Sequence, residues 1–310
     1  MIITNQISKI ATLTGHAGSV YALEASGPAS FFSGSGDKVV AEWNLLQPGE
    51  GKLLAKIPEI VYSLFTDFNN NRLLIGQAAG GIHVVSLADR NEIRLLQYHS
   101  APVFHIGVSH KHHLLFSLTG DGQLGILDRN SLELTGLINI GTGKLRASAV
   151  NAGETLLAIG AGDGGINVFS LPELRPVKHW QAHTEGFSVN ALAFSPDGKK
   201  LVSGSRDAHM NIFDVDNDFE LLQSIAAHNY AIYSIVFSPD NSLLATGSRD
   251  KTIKLWNPDT FEFLQRIDLE KYEGHKNSVN KIIWHQQTGY LISAGDDRTI
   301  MVWGIGGLKK

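Results

Sequence analysis

Through many short stretches of this chain, hydrophobic and polar residues alternate with a period of two. In TIKLWN, Ile253 and Leu255 stand against Thr252 and Lys254, the mark of a half-buried strand and not of a helix. Runs of related composition surround it, AIYSIVFS, LLATGS and FEFLQRI. Turn residues separate them: SPDN at Ser238–Asn241, and SPDG at the equivalent Ser195–Gly198. Pro fixes φ, Asp bonds its own backbone, and Gly or Asn tolerates positive φ, so both segments reverse the chain. No stretch carries the 3.6-residue period of a substantial helix.

The pattern repeats. Aspartates recur at Asp37, Asp121, Asp163, Asp207, Asp250 and Asp297, the last four steps being 42, 44, 43 and 47 residues. The first step, 84 residues, holds two repeats, with Ala79 at the vacant position. Six residues beyond each comes a bulky apolar side chain: Trp43, Val85, Leu127, Phe169, Phe213, Trp256 and Trp303. A period of this length marks units that share a continuous core. The expectation is an all-β chain of seven units with four strands each.

Composition fits that reading. Charged residues make up 18% and glycine 32 of 310 positions, below and above their respective averages of about 25% and ~7%. A net charge of −4 gives no overall basic footprint for nucleic acid. With no cysteine, disulfides, Cys-based zinc sites and thiol nucleophiles are excluded. The start, MIITNQISKIATLTGH, lacks the basic and apolar regions of a secretory signal. No apolar run approaches the ~18 residues that span a bilayer. A cytoplasmic protein is the expectation.

Three features invite a chemical reading. His16, Ser33, Asp37 and Trp43 recur as His228, Thr246, Asp250, Trp256 and as His275, Ser293, Asp297, Trp303. Two further units keep three members: His99, Ser117 and Asp121, then His183, Ser203 and Asp207. A catalytic site needs one convergent constellation, whereas these sets occur once per unit, which favours a structural role. SHKHH at Ser109–His113 offers imidazoles to a metal, but no Cys or acidic partner stands beside it, so a solvated loop is expected. GAGDGG at Gly160–Gly165 lacks the Lys-Ser/Thr of a phosphate loop and reads as turn glycines.

Gly15-His16, Ala182-His183, Ala227-His228 and Gly274-His275, together with Trp43-Asn44, Phe213-Asp214, Trp256-Asn257 and Trp303-Gly304, resemble the WD-repeat family over essentially the whole chain. The resemblance implies a seven-bladed β-propeller of four-stranded antiparallel blades, one domain over residues 1–310. After Trp303 only GIGGLKK remains, and ISKIATL (Ile7–Leu13) has no unit of its own. That segment is expected to complete the last blade and close the ring, removing open edges.

In WD-repeat relatives the His–Ser/Thr–Asp–Trp residues form a hydrogen-bond network. Partners often bind the face built by the His loops and Asp turns, at the third and fifth residues after the His and the residue before the Asp. Carried over here, the binding candidates are Tyr21, Tyr62, Phe104, Lys144, Arg146, Arg206, Tyr233 and Arg249. The resemblance implies a non-enzymatic scaffold with no catalytic, cofactor or metal residues. Its expected partner is a protein or peptide with an acidic or phosphorylated stretch beside an apolar anchor, within a multiprotein assembly. Two other classes stay open. A propeller enzyme at the channel mouth would have only Asp296 as a carboxylate at these positions, facing several cations. RNA binding through Lys144, Arg146, Arg206 and Arg249 with Tyr stacking runs against the net negative charge.

Overall fold

Each repeat folds into one four-stranded antiparallel sheet, and seven such sheets stand side by side in a ring. A computed structural model describes residues 6–141 and 143–306. The second strands, such as Arg72–Gln77 and Leu291–Gly295, are buried almost throughout. They sit mid-sheet with a neighbouring sheet on either face, which explains their near-continuous apolar runs. The fourth strands lie at the circumference, and Leu134–Asn139 alternates half-buried with exposed residues. The only α-helix among the described residues is the four-residue turn Leu269–Tyr272.

The first strands face the axis. Val20–Gly27, Val61–Asp67, Val103–Ser109, Ala147–Val150, Val189–Phe194, Ile232–Phe237 and Val279–Trp284 contact one another in turn, and the last returns to the first. Seven apolar clusters fill the seven junctions between blades. Leu243, Leu255, Val279 and Trp303, for example, join blades six and seven. The amino-terminal strand Ile7–Leu13 pairs antiparallel with Ile300–Ile305, from Ile7 opposite Ile305 to Leu13 opposite Ile300. It is the fourth strand of the last blade, as the leftover segment led us to expect.

The repeated histidines and aspartates form closed chains of hydrogen bonds. In blade six, the Trp256 indole N–H donates to the Thr246 hydroxyl (2.9 Å), which lies 2.8 Å from His228 Nε2; His228 Nδ1 lies 2.8 Å from Asp250. Blades one and seven repeat this through Trp43, Ser33, His16 and Asp37 and through Trp303, Ser293, His275 and Asp297. The carboxylates also accept the backbone N–H after each histidine, Ala17, Asn229 and Lys276. Ser33, Thr246 and Ser293 have no exposed surface. A hydroxyl so enclosed, with an indole N–H already on it, is not available for nucleophilic attack.

Burial raises the Asp250 carboxyl, but the hydrogen bond and charge of His228 outweigh it and hold the acid well below its usual range. Burial, with Lys254 adding to it, lowers His228 against the pull of Asp250. Near neutral pH a neutral imidazole therefore faces the carboxylate, and the imidazolium charge that holds Asp250 down is present only in acid. Blade five keeps the His183–Asp207 and His183–Ser203 bonds, with Phe213 in the Trp position. Blade three is broken: His99 reaches Ser117 at 2.7 Å, but Asp121 turns to Thr119, and His99 Nδ1 is buried without a partner among the described residues.

Blade two, which has no quartet, is fastened from the opposite face. Asp67, fully buried, accepts from Arg129 Nε (3.0 Å) and from a terminal Arg129 nitrogen (2.6 Å), and from Arg72 Nε at 3.1 Å. Arg129 also donates to His110 Nδ1 (2.9 Å), and His112 Nε2 donates to the Glu154 carbonyl at 2.8 Å. The SHKHH loop is therefore not simply solvated. His110 and His113 are exposed, but the segment braces blades two, three and four. No group of three potential metal ligands occurs among the described residues.

These networks have measurable consequences. Asp250→Ala strands the donors of His228 and Asn229 and should cost about 1–3 kcal/mol in urea unfolding. Asp67→Ala leaves Arg129 buried without a counter-ion and should cost more, about 3–5 kcal/mol. Burial raises the Asp297 carboxyl, yet His275 brings it down to about 2, below the ~3.9 of an unfolded aspartate. Its contribution is therefore complete above pH ~4 and is lost as pH falls through about 2. Asp297→Asn should flatten the acid-unfolding profile in that window.

Candidate functional site

On the face that carries the His loops and Asp turns, one bond repeats from blade to blade. The residue before the Asp position donates its backbone N–H to the carbonyl of the third residue after the His position. The pairs are Gly36–Ser19 (2.8 Å), then Ala78–Ile60, Gly120–Pro102, Arg206–Ser188, Arg249–Ala231 and Asp296–Ser278 (2.9 Å each). The two loops are thus laced together even in blade two, which has neither His nor Asp. In blade four a Cβ on Gly162 would lie 2.7 Å from the Lys144 backbone nitrogen, so only glycine fits.

The fifth residue is aimed by a separate device. Pairing skips it in six blades: Val20 faces Ser35 and Ala22 faces Gly34, leaving Tyr21 out of register. Tyr62, Phe104, Asn190, Tyr233 and Asn280 are bulged in the same way. A β-bulge re-aims the side chain it carries, and here all of them turn to the channel mouth.

The eight candidates all line one cavity of about 630 Å³ at that mouth. Four form a continuous stack. The ring centroids of Tyr21 and Tyr62 are 5.3 Å apart and those of Tyr62 and Phe104 5.0 Å, while the Arg146 guanidinium lies 4.1 Å from the centre of Phe104. These are contact geometries for aromatic and cation–π pairs. Burial pulls Arg146 below its ordinary value, and nearby Tyr233, Tyr62 and Tyr21 oppose this. The sequence grouped Arg146 with the cations Lys144, Arg206 and Arg249; the fold instead lays it on Phe104, against the aromatic rings.

Arg206 and Arg249 stand apart from the stack, exposed. Each lies over an aromatic ring that sequence reasoning missed: Arg206 over Phe187 at 5.8 Å, Arg249 over Tyr230 at 6.0 Å. Ser205 and Ser248 hydroxyls donate to the Phe187 and Tyr230 carbonyls at 3.1 Å each, fixing both loops alike. Phe187 and Tyr230 are 39% and 60% exposed, so each ring keeps apolar surface in solvent beside its arginine. Their signal was positional. Both lie two residues before the first-strand residue, Val189 or Ile232, where the other blades carry Gly18, Glu59, Ala101, Gly143 and Asn277.

The cavity holds the cations Lys144, Arg146, Arg206, Arg249 and Lys281 against the carboxylates Glu24 and Asp296. Asp296 already accepts from the Asn280 amide at 2.7 Å. The mouth is therefore electropositive on a protein of net charge −4. A smaller cleft of about 240 Å³ between blades six and seven holds Asp250, His275, Arg266 and Asp268. Two of its three acids are committed, Asp250 to His228 and Asp268 to Arg266, and the third, Glu270, is exposed.

A family model described as WD domain, G-beta repeat, matches residues 7–44, 174–214, 219–257 and 267–304. Those segments hold the four units with an intact His–Asp pair. Among curated proteins, the chain is 32% identical over 177 residues to Protein HIR1 of Eremothecium gossypii, covering 47% of this chain and 21% of that protein. It is 29% identical over 145 residues to human apoptotic protease-activating factor 1, covering 45% and 12%. Human WD repeat and SOCS box-containing protein 1 is 30% identical over 109 residues, covering 35% and 25%. The chain thus spans a quarter or less of the length of these relatives. With the family model matching half of the chain and seven four-stranded blades in a closed ring, the chain belongs to the WD-repeat family.

Proposed function

We propose that this propeller is a non-enzymatic interaction module, and that its partner is a peptide or protein segment bound across the channel mouth. The observation that carries the reading is the continuous surface Tyr21–Tyr62–Phe104–Arg146, flanked by Arg206 and Arg249 on their own aromatic rings. Rigid aromatic and Arg side chains on a fixed scaffold are the residue types that dominate binding energy. The aromatic stack offers a seat for an apolar anchor. The exposed guanidiniums match planar carboxylate or phosphate groups by paired hydrogen bonds. The segment is therefore acidic or phosphorylated beside one apolar residue, and its parent acts in a multiprotein assembly.

Selection from a random displayed-peptide library tests this, run in parallel on wild type and on an Arg206→Glu, Arg249→Glu variant of verified fold. Acidic peptides with an apolar anchor should enrich on wild type and vanish on the variant. Absence of enrichment on both removes the assignment. For a selected peptide, Tyr62→Ala should weaken binding by roughly tenfold or more, the loss of about 1.4 kcal/mol or more, measured by calorimetry.

A further inference from the structure

Below the mouth, the third residues of the bulged strands and their blade-four equivalent are small in five blades: Ala22, Ser63, Ala147, Ala191 and Ser234. The exceptions are His105 in blade three and Lys281 in blade seven, both lining the cavity. Glu24 of blade one lines it as well, two positions further along its strand. None of these three belongs to the rim that the sequence singled out.

Their partners are few. The Glu24 carboxylate accepts the Thr66 backbone N–H at 3.1 Å. It forms no ion pair with Lys281 within 4.0 Å, and neither Lys281 nor His105 has a side-chain hydrogen bond to any described residue. All three keep part of their surface in the lumen. An ammonium drawn out of bulk water without a bonded partner is costly, and here its surroundings are a lumen with more cations than carboxylates.

Protonation sharpens the contrast. Burial pushes Glu24 up to about 7, against the pull of the Thr66 N–H and of Lys281. Burial, with Lys281 adding to it, brings His105 down to about 3, so its ring is neutral near pH 7. A neutral imidazole and a partly protonated carboxyl each present a hydrogen-bond donor. Burial lowers Lys281 as well, and Glu24 opposes this. The donors and an ammonium with no hydrogen-bonded partner thus face the same space, with the Arg146 guanidinium at the mouth.

We propose that the lumen is an anion site in which Lys281 supplies the charge and His105 and Glu24 supply neutral donors, its ligand a phosphate or carboxylate group. The group has two sources: a free small anion, or the end of a side chain that a partner threads through the mouth. Only the second rests on the function proposed above.

The test is a titration with inorganic phosphate followed by phosphorus NMR line broadening. Wild type should saturate at millimolar concentrations. Lys281→Met should bind at least about tenfold more weakly, whereas Lys281→Arg should retain binding. Removing an ammonium that burial already disfavours is compatible with folding, and Lys281→Gln provides a second neutral variant. The Arg206→Glu, Arg249→Glu variant should still saturate, which separates this site from the rim. Non-saturable broadening in wild type, or equal binding by both neutral variants and wild type, overturns the proposal. If a rim-selected acidic peptide displaces phosphate, the partner delivers the anion; if the two bind together, the ligand is a free anion. Phosphate binding that survives when no peptide is selected removes the rim reading and leaves the lumen site standing.

Discussion

The pairing of Ile7–Leu13 with Ile300–Ile305 is the contact on which the rest depends. A row of sheets stacked face to face is open at both ends; once this strand completes the last blade, the ends meet and the circumference is fixed. The seven first strands then have no freedom to spread. Polar side chains near the axis hold them together: Asn280 donates to the Val20 carbonyl across the closing junction, Asn190 to Ile232, Ser63 to Val103 and Ser234 to Ile282. A mouth of fixed diameter is what allows Tyr21, Tyr62, Phe104 and Arg146, from four different blades, to lie in contact. Pre-organisation of this kind reduces the entropy lost on binding.

The ring is fastened unevenly. Blades one, five, six and seven are tied at the mouth by His–Asp pairs. At blades two to four the ties move to the other face, where Asp67, Arg129, Arg72, His110 and Glu154 interlock. The aromatic half of the mouth, from Tyr21 to Phe104, spans blades one to three. Two of the three rings in the stack, Tyr62 and Phe104, therefore stand in blades without a His–Asp tie, and their bulges and backbone lacing supply the order instead.

Much of this was legible in the chain because it depends on spacing. The Asp positions, the apolar residue six later and the orphan strand ISKIATL define the blades and their closure, and the family pattern located the rim residues. What escaped was whatever depends on a residue's direction. Nothing in VYALEASG shows that pairing skips Tyr21. Phe187 and Tyr230 read as ordinary loop residues until each is found under an arginine from the adjoining turn. Arg146 looked like one more cation because its stacking on Phe104 joins two blades. Lys281 stands inside the strand VNKIIW, and the lumen it faces exists only once seven strands surround it. The bracing contacts of the SHKHH loop escaped for the same reason, since its partners Arg129 and Glu154 lie in other turns.

The closing strand also decides where the polypeptide leaves the ring. Leu13 runs up to the His16 loop at the mouth, so Ile7 begins on the opposite face, and Ile305 ends beside it, with Gly306 bonded to the Gln6 carbonyl at 2.8 Å. Gln6 and Gly306 thus lie together, at the outer edge of one blade and on the face opposite the His loops. A tether, tag or neighbouring domain attached at either terminus would hang from a single point on the periphery. Such an attachment would start from the face away from the mouth, like a plate held by its rim.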